Sequence, residues 1–184
     1  MKIGLTQRVL YHKGRAYDSI EHGWYSYLKE HTLVFIQNRR DQDFQQLAND
    51  IDALIITGGD DSAIRKLTEL RLATEVMKQQ KPVIGICHGC FLLTDTLDGI
   101  IGEINDHVGI MHNINYFGDI HEVNSFHNLY IEKTHPNATI LATDEEGNCE
   151  AWIDNKLKIA GVVWHPERMD VPWMPDEINQ LIGL

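Results

Sequence analysis

A chain of 184 residues can form one domain with a real core, and its 43% hydrophobic and 23% charged residues are typical of globular proteins. The formal net charge of −11 argues against a nucleic-acid scaffold, which would present a basic face. No apolar stretch approaches the roughly 20 residues of a membrane helix, and no signal-peptide pattern opens the chain. Three cysteines without framework spacing point to a reducing compartment. We therefore expect one cytoplasmic domain over residues 1–184 that binds neither nucleic acid nor membrane.

The first half of the chain alternates between strand and helix patterns. Continuous apolar runs predict buried strands, and apolar residues at helical spacing predict the helices between them. The predicted strands are 3–6, 33–36, 53–56 and 83–86, and the predicted helices are 20–29, 44–49, 64–78 and one starting at Cys87. Apolar strands separated by helices indicate a parallel sheet that is covered on both faces.

The second half has shorter runs of β character and one helical pattern near its end. Its predicted strands are 121–126, 139–142, 150–153 and 159–163, and its predicted helix is 176–182. The whole pattern predicts an α/β fold of three layers around one predominantly parallel sheet.

Residues 85–89, Gly-Ile-Cys-His-Gly, follow a predicted strand and open a predicted helix. This is the layout of a nucleophile elbow, with cysteine in place of the usual serine. Glycines two residues to either side of Cys87 leave room for the neighbouring backbone. A helix N-terminus favours a thiolate, because its unpaired N–H groups and dipole attract negative charge. Cys87 is therefore the candidate nucleophile.

A cysteine nucleophile needs a base and a group that orients the base. His165 and Glu167 lie two residues apart after an apolar strand, and Pro166 between them favours an extended His165. Residues i and i+2 of an extended chain point to the same side. We therefore expect Glu167 beside the imidazole of His165, at the sheet edge where α/β active sites gather.

Gly58 and Gly59 end another buried strand. Paired glycines let the backbone approach a ligand, so their N–H groups and that of His88 could stabilise an oxyanion. A glycine pair alone is more typical of a plain turn, and the spacing is not that of a dinucleotide fingerprint.

Four basic residues, Lys2, Arg8, Lys13 and Arg15, precede the first acidic residue. They form either a solvated loop or a basic loop that receives an anionic part of the substrate. Ten histidines raise the possibility of a metal, but the spacing of His107 and His112 is not the i, i+3 or i+4 spacing of zinc ligands. We predict no metal and no cofactor.

Four segments together resemble the class I glutamine amidotransferase superfamily, and its γ-glutamyl hydrolase branch most of all. The segments are 56–60, 85–89, 123–128 and 164–168, with sequences Ile-Thr-Gly-Gly-Asp, Gly-Ile-Cys-His-Gly, Val-Asn-Ser-Phe-His-Asn and Trp-His-Pro-Glu-Arg. The opening Thr6-Gln7-Arg8 is similar to a smaller subgroup. That subgroup includes γ-glutamyl-CDP-amidate hydrolases of capsule phosphoramidate biosynthesis and γ-glutamyl-γ-aminobutyrate hydrolases.

The resemblance implies a flavodoxin-like sheet and a Cys-His-Glu triad. Its implied site residues are the nucleophile Cys87, the base His165, the orienting Glu167, the oxyanion donors Gly59 and His88, and the substrate-binding residues Gly58, Asn124, Ser125, Phe126, Glu150 and Arg8. The segment 124–126 would use backbone groups to hold a glutamyl moiety. Two positions depart from the family pattern: residue 91 is Phe where the family often has Gln, and residue 88 is His where the branch often has Arg.

The implied activity is hydrolysis of a small γ-glutamyl amide with release of glutamate. The alternative is a glutaminase subunit that supplies ammonia to a separate synthase, and a homodimer is compatible with either. A noncatalytic binding module is the third reading. The presence of Cys87, His165 and Glu167 together argues against it.

Overall fold

The computed structural model describes all residues, 1–184, as thirteen β-strands, five α-helices and one 3₁₀ helix. The strands are β1 (Lys2–Thr6), β2 (Arg8–His12), β3 (Arg15–Ser19), β4 (Thr32–Ile36), β5 (Ala53–Ile56), β6 (Val83–Ile86), β7 (Ile100–Glu103), β8 (Val108–Tyr116), β9 (Asp119–Phe126), β10 (Leu129–Lys133), β11 (Thr139–Thr143), β12 (Cys149–Asp154) and β13 (Ile159–Val162). The α-helices are α1 (Gly23–Tyr27), α2 (Phe44–Asp50), α3 (Ala63–Lys78), α4 (His88–Thr96) and α5 (Asp176–Ile182), and Pro166–Arg168 forms the 3₁₀ helix.

Five parallel strands form the centre of the fold, in the spatial order β4-β1-β5-β6-β13. Numbered by their order along the chain, these strands follow the 2-1-3-4-5 order of flavodoxin-like folds. The carboxyl ends of β5, β6 and β13 are neighbours at one edge of the sheet. The predicted α/β fold is confirmed, and the three motifs that follow these strands are brought together.

The second half of the chain extends this parallel centre with antiparallel strands. β12, β11, β8 and β9 continue the sheet from β13, while β10 pairs with β12 and β7. Strands β7, β8 and β10 were not predicted. Most residues of β8 are exposed, so its sequence lacks the apolar run that marks a buried strand.

The basic segment near the N-terminus is a hairpin and not a loop. β2 pairs with β3 through a two-residue turn in which Lys13 and Gly14 both have positive φ, as a type I′ turn requires. The predicted helix 20–29 is wrong in its bounds, because residues 20–22 and 28–29 are not helical and α1 covers only Gly23–Tyr27.

Two hydrophobic cores lie on the two faces of the sheet. Helices α2, α3 and α4 cover one face, and α1 and α5 cover the other. Within β5, Leu54 and Ile56 contribute to the first core while Ala53 and Ile55 contribute to the second, as the alternation of side chains along a strand demands. None of the helices is long and apolar enough to cross a membrane.

Candidate active site

Cys87 lies in the sharp turn between β6 and α4, where it is the N-cap residue with φ 50° and ψ −105°. This conformation is rare for a residue other than glycine and is typical of functional sites. A Cβ atom on Gly85 would lie 2.4 Å from the carbonyl carbon of Gly89, and one on Gly89 would lie 2.2 Å from the carbonyl oxygen of Ile56. The two glycines therefore permit the close packing of strand and helix that the sequence pattern predicts.

His165 lies beyond the end of β13, and its Nδ1 is 2.7 Å from Oε1 of Glu167. Both side chains are about 1% exposed. The contact is the predicted one, but its route differs: residues 166–168 form a 3₁₀ turn, and only His165 is extended. Because a carboxylate only accepts hydrogen bonds, Nδ1 carries a proton in this pair.

The charge state of His165 depends on its two neighbours. Burial opposes the imidazolium, but the side chains of Cys87 and Glu167 favour it more strongly and raise the pKa of His165 to about 9. His165 is therefore placed to hold or transfer a proton beside the thiol of Cys87.

Asn124 holds the backbone of His165 from strand β9. Its Nδ2 donates to the His165 carbonyl at 2.8 Å, and the His165 N–H donates to its Oδ1 at 2.9 Å. The family resemblance implied that the segment 124–126 contacts the substrate. It did not indicate that the side chain of Asn124 binds the backbone of His165.

The glycine pair after β5 contributes space on one side of the imidazole. A Cβ atom on Gly58 would lie 2.2 Å from Cε1 of His165, so only glycine fits there without displacing the ring. Gly59 has φ 118°, which L side chains rarely adopt, and its N–H donates to no other group of the protein. The His88 N–H is at the first position of α4, where a helix has no intrahelical acceptor to offer.

A buried ion pair on α3 connects these two candidate oxyanion donors. Arg65 Nε is 2.8 Å from Oε1 of Glu69, and both side chains are fully buried. Arg65 also donates to the carbonyl oxygens of Thr57 and Asp60, on either side of the glycine pair. Glu69 Oε2 is 2.9 Å from Nε2 of His88. Arg65 and Glu69 are functional candidates that sequence analysis missed, because a buried charge looks like any polar residue of an amphipathic helix.

Cys87 opens into a cavity of about 520 Å³. Of the predicted site residues, Gly59, Cys87, His88 and Phe126 line it, together with Phe91 and His127. Gly58, Asn124 and Ser125 do not line it, and Ser125 is fully buried and donates its hydroxyl to the His107 carbonyl. The arrangement places a nucleophile and two unpaired N–H groups around one space, with the imidazole of His165 beside the nucleophile.

Comparison with known proteins identifies the family. The sequence profile of the family described as glutamine amidotransferase class-I matches residues 15–180 of this chain. The chain belongs to the class-I glutamine amidotransferase family. It is therefore a hydrolase of the glutamine amidotransferase type, as the resemblance implied.

Individual relatives of this amidotransferase cover different shares of the chain. The γ-glutamyl-CDP-amidate hydrolase of Campylobacter jejuni is 27% identical in an alignment that covers 91% of this chain and 90% of that enzyme. The glutamine-hydrolysing GMP synthase of Clostridium botulinum is 29% identical in an alignment that covers 62% of this chain and 24% of the synthase. A solved structure described as a GMP synthase subunit from Thermoplasma acidophilum aligns with a TM-score of 0.75 at 15% identity, covering all of this chain and 92% of that one.

Arg8, a predicted substrate-binding residue, forms an ion pair with Glu21. Its Nη2 is 2.6 Å from Oε1 of Glu21, and Arg168 binds the same carboxylate through Nε and Nη2. Burial opposes the charge of Glu21, but Arg168 and Arg8 outweigh it and lower its pKa. Arg168 also lies over the ring of Phe126, 4.7 Å from its centroid. Arg8 therefore links the hairpin to the rim of the cavity.

Glu150 faces three histidines, His107, His112 and His127, which we call with it the histidine cluster. One ligand atom each of His107, His127 and Glu150 lie within 4.8 Å of one another, and His112 Nε2 is 3.8 Å from Glu150 Oε2. Burial lowers the pKa of His127 to about 4. Burial raises the pKa of Glu150, and the nearby charges of Asp144 and Cys87 add to this effect. The fold thus assembles a group that sequence spacing did not reveal.

Proposed function

We propose that this protein hydrolyses the γ-glutamyl amide bond of a small conjugate and releases glutamate, with Cys87, His165 and Glu167 as its catalytic triad. The observation that carries the proposal is the position of Cys87 at the cavity, beside the imidazole of His165 and the free N–H of Gly59. Membership of the amidotransferase family supports the same chemistry.

In the first step, the thiolate of Cys87 attacks the γ-carbonyl carbon of the substrate. The N–H groups of Gly59 and His88 stabilise the oxyanion of the tetrahedral intermediate. The imidazolium of His165 then protonates the leaving nitrogen, the C–N bond breaks, and an amine or amidate departs. The product on the enzyme is a γ-glutamyl thioester of Cys87.

In the second step, neutral His165 takes a proton from water, which attacks the thioester. The C–S bond breaks, glutamate leaves and Cys87 returns to its thiolate form with His165 protonated. Glu167 keeps the same hydrogen bond to Nδ1 throughout and so orients the ring. Each proton transfer contributes about 10²–10⁴-fold to the rate.

A γ-glutamyl-CDP-amidate is the leading substrate candidate. The C. jejuni hydrolase of that substrate is similar along 91% of this chain, which supports a common leaving group. The hairpin β2–β3 follows the carboxyl end of β1 and carries Lys13 and Arg15 at its exposed tip. These cations suit the phosphates of a nucleotide, and γ-glutamyl-γ-aminobutyrate, which lacks phosphates, is the second candidate.

The hairpin tip gives a test of the leaving group. We expect Arg15→Ser to raise KM for γ-glutamyl-CDP-amidate by several-fold and to leave KM for glutamine unchanged, because only the first substrate has phosphates near the tip. Steady-state kinetics on both substrates measures this, with Lys29→Ser as an exposed cation outside the hairpin for comparison. Equal changes for both substrates would remove the hairpin from leaving-group recognition.

The proposed activity itself is tested by glutamate release from the purified protein. The substrates are glutamine, γ-glutamyl-γ-aminobutyrate and γ-glutamyl-CDP-amidate, and the variants are Cys87→Ala and the buried-cysteine control Cys149→Ala. We expect release from one conjugate that Cys87→Ala abolishes while circular dichroism shows an intact fold. A folded Cys87→Ala protein that retains activity would overturn the triad.

The second candidate function is a glutaminase that supplies ammonia to a separate synthase. The similarity to part of the C. botulinum GMP synthase favours it. This function predicts weak glutamine hydrolysis by the isolated protein and a strong increase when the synthase is added. Full activity on a conjugate without any partner would exclude it.

A further inference from the structure

The histidine cluster has the composition of a metal site and is not used by the proposed hydrolysis. Imidazole nitrogens and a carboxylate oxygen are the ligands of many zinc sites, including those with two histidines and one glutamate. The cluster draws on the chain before β8 (His107), on β8 (His112), on the residue after β9 (His127) and on β12 (Glu150). A cation there would connect the start of β8 with the end of β9 and with β12.

Three polar atoms of the cluster are buried and have no hydrogen-bond partner. They are Nε2 of His112, Nε2 of His127 and Oε2 of Glu150. Glu150 is 2% exposed and His127 is 5% exposed, so bulk water does not reach them freely. Buried polar atoms are nearly always paired in folded proteins, so a group of unpaired buried atoms calls for an explanation such as a bound ion.

The hydrogen bonds around the cluster resemble the support of metal ligands. His127 Nδ1 is 2.7 Å from the carbonyl oxygen of Leu129, which accepts its proton and leaves the lone pair of Nε2 directed into the cluster. Ser125 donates its hydroxyl to the carbonyl of His107 and holds that residue in place. A backbone acceptor on the second ring nitrogen is the usual way in which proteins orient a ligating histidine.

The ligand atoms of the cluster lie farther apart than those of a zinc site, but only by a small distance. Ligand atoms of a tetrahedral zinc site are about 3.3–3.6 Å apart, because each lies about 2.0–2.2 Å from the metal. The three atoms of His107, His127 and Glu150 lie within 4.8 Å of one another. Binding one cation would therefore require these atoms to approach one another by about 1.5 Å at most.

We propose that the histidine cluster binds a divalent transition-metal cation of the zinc class, with His107, His127 and Glu150 as ligands and His112 as the candidate fourth. The cation stabilises the cavity wall, since His127 lines the cavity and Phe126 precedes it. It takes no part in the bond-breaking steps, so the proposal does not depend on the proposed function.

Metal binding is best measured in the Cys87→Ala protein, where the catalytic thiol at the cavity cannot act as a ligand. Titration calorimetry with Zn²⁺ should show one saturable equivalent, and one equivalent of Co²⁺ should give the visible absorption of a four-coordinate site. The melting temperature should rise with Zn²⁺, because a ligand that binds only the folded state stabilises it.

Variants of the cluster decide the assignment. We expect Glu150→Gln and His107→Ala, each in the Cys87→Ala background, to weaken Zn²⁺ binding by at least about tenfold. The control His12→Ala, which removes an exposed histidine of the hairpin, should bind like the parent. His107 is only partly buried, so its variant tests the proposal even if Glu150→Gln fails to fold.

Two results would overturn the proposal. One is the absence of a saturable equivalent, and the other is binding that is unchanged in both cluster variants. Thermal stabilisation of the parent by a γ-glutamyl substrate but not by Zn²⁺, lost in Glu150→Gln, would instead make Glu150 a carboxylate that binds the substrate ammonium group.

Discussion

His165 is fixed from three directions by residues that lie far apart in the sequence. Glu167 binds its ring, Asn124 binds its peptide groups, and Gly58 leaves the space that its ring edge occupies. A ring held in this way loses little freedom when a substrate binds, which is what precise proton transfer requires. The geometry of the imidazole therefore depends on separate parts of the chain.

The raised pKa of His165 has consequences for activity at high pH. We expect kcat/KM to fall as the pH rises through about 9, because the imidazolium that protonates the leaving nitrogen is then lost. In Cys87→Ala the imidazolium loses one of its two stabilising partners, so its pKa should be lower than in the parent. NMR titration of His165 in both proteins measures this, and an unchanged pKa would contradict the coupling.

The same group makes a pH-dependent contribution to stability. Its folded-state pKa lies above the ordinary value of 6.5, so this contribution is fully present below about pH 6.5 and is lost as the pH rises through about 9.

Asn124 should matter for both stability and turnover. Asn124→Ala leaves the buried N–H of His165 without a partner, which costs about 1–3 kcal/mol, while the His165 carbonyl keeps only the N–H of Arg168 as a donor. We expect a lower free energy of unfolding in urea and a lower kcat, with a smaller change in KM, because the base is misplaced while the cavity stays open. An increase in KM with kcat unchanged would assign Asn124 to substrate binding instead.

The catalytic candidates could be found from sequence because each stands in a local pattern. Cys87 has glycines at fixed offsets, and His165 and Glu167 are two residues apart. The contacts of Asn124 and the histidine cluster could not be found in this way. They join residues up to about 40 positions apart, and the pairing of β8, β9 and β12 that creates them leaves no mark in residue spacing.

Helix α3 supports the site through a charged pair in the protein interior. The pair costs desolvation, yet each partner is satisfied: Arg65 by Glu69 and two carbonyls, Glu69 by Arg65, Thr6 and His88. Burial opposes the charge of Glu69, but the hydrogen bond of His88 and the charge of Arg65 outweigh it and lower its pKa. The pair thus positions both the glycine turn and His88 and is not simply a source of stability.

Two substitutions on α3 distinguish the buried ion pair from an ordinary ion pair at the surface of the same helix. Glu69→Gln leaves Arg65 as an unbalanced buried charge and should cost about 3–5 kcal/mol of unfolding free energy. Glu75→Gln removes the exposed partner of Lys78 on the same helix and should cost less than about 1 kcal/mol. Urea denaturation of both variants measures this, and equal costs would contradict the role assigned to the buried pair. The contribution of Glu69 should be fully present above its ordinary pKa of 4.5 and should be lost as the pH falls through its lower folded-state pKa.

Among the elements, burial decided which could be predicted. Strands β1, β5 and β6 are buried along their length and read as apolar runs. The hairpin and β8 were missed because they are mostly exposed, and their pairing comes from the Lys13–Gly14 turn and from neighbouring strands. A local run of hydrophobic residues predicts a buried strand, but it does not predict a strand whose faces are exposed to solvent.

The two hydrophobic cores share the strands of one sheet, so we expect them to unfold together. Leu72→Ala removes a fully buried side chain from one core, and Ile178→Ala does the same in the other. Each should cost about 2–5 kcal/mol. Far-UV circular dichroism and tryptophan fluorescence should report one coincident transition in both variants, and separate transitions would show that the faces fold independently.

Strand β13 lies in the middle of the sheet, between β6 and β12, although it begins only at residue 159. During translation the N-terminal strands leave the ribosome first, and β6 must wait with an unpaired edge until β13 arrives. The strand that closes this gap is also the one that leads to His165. A ribosome that stops early therefore releases a chain with neither a finished sheet nor the proposed base, so an incomplete product is also an inactive one.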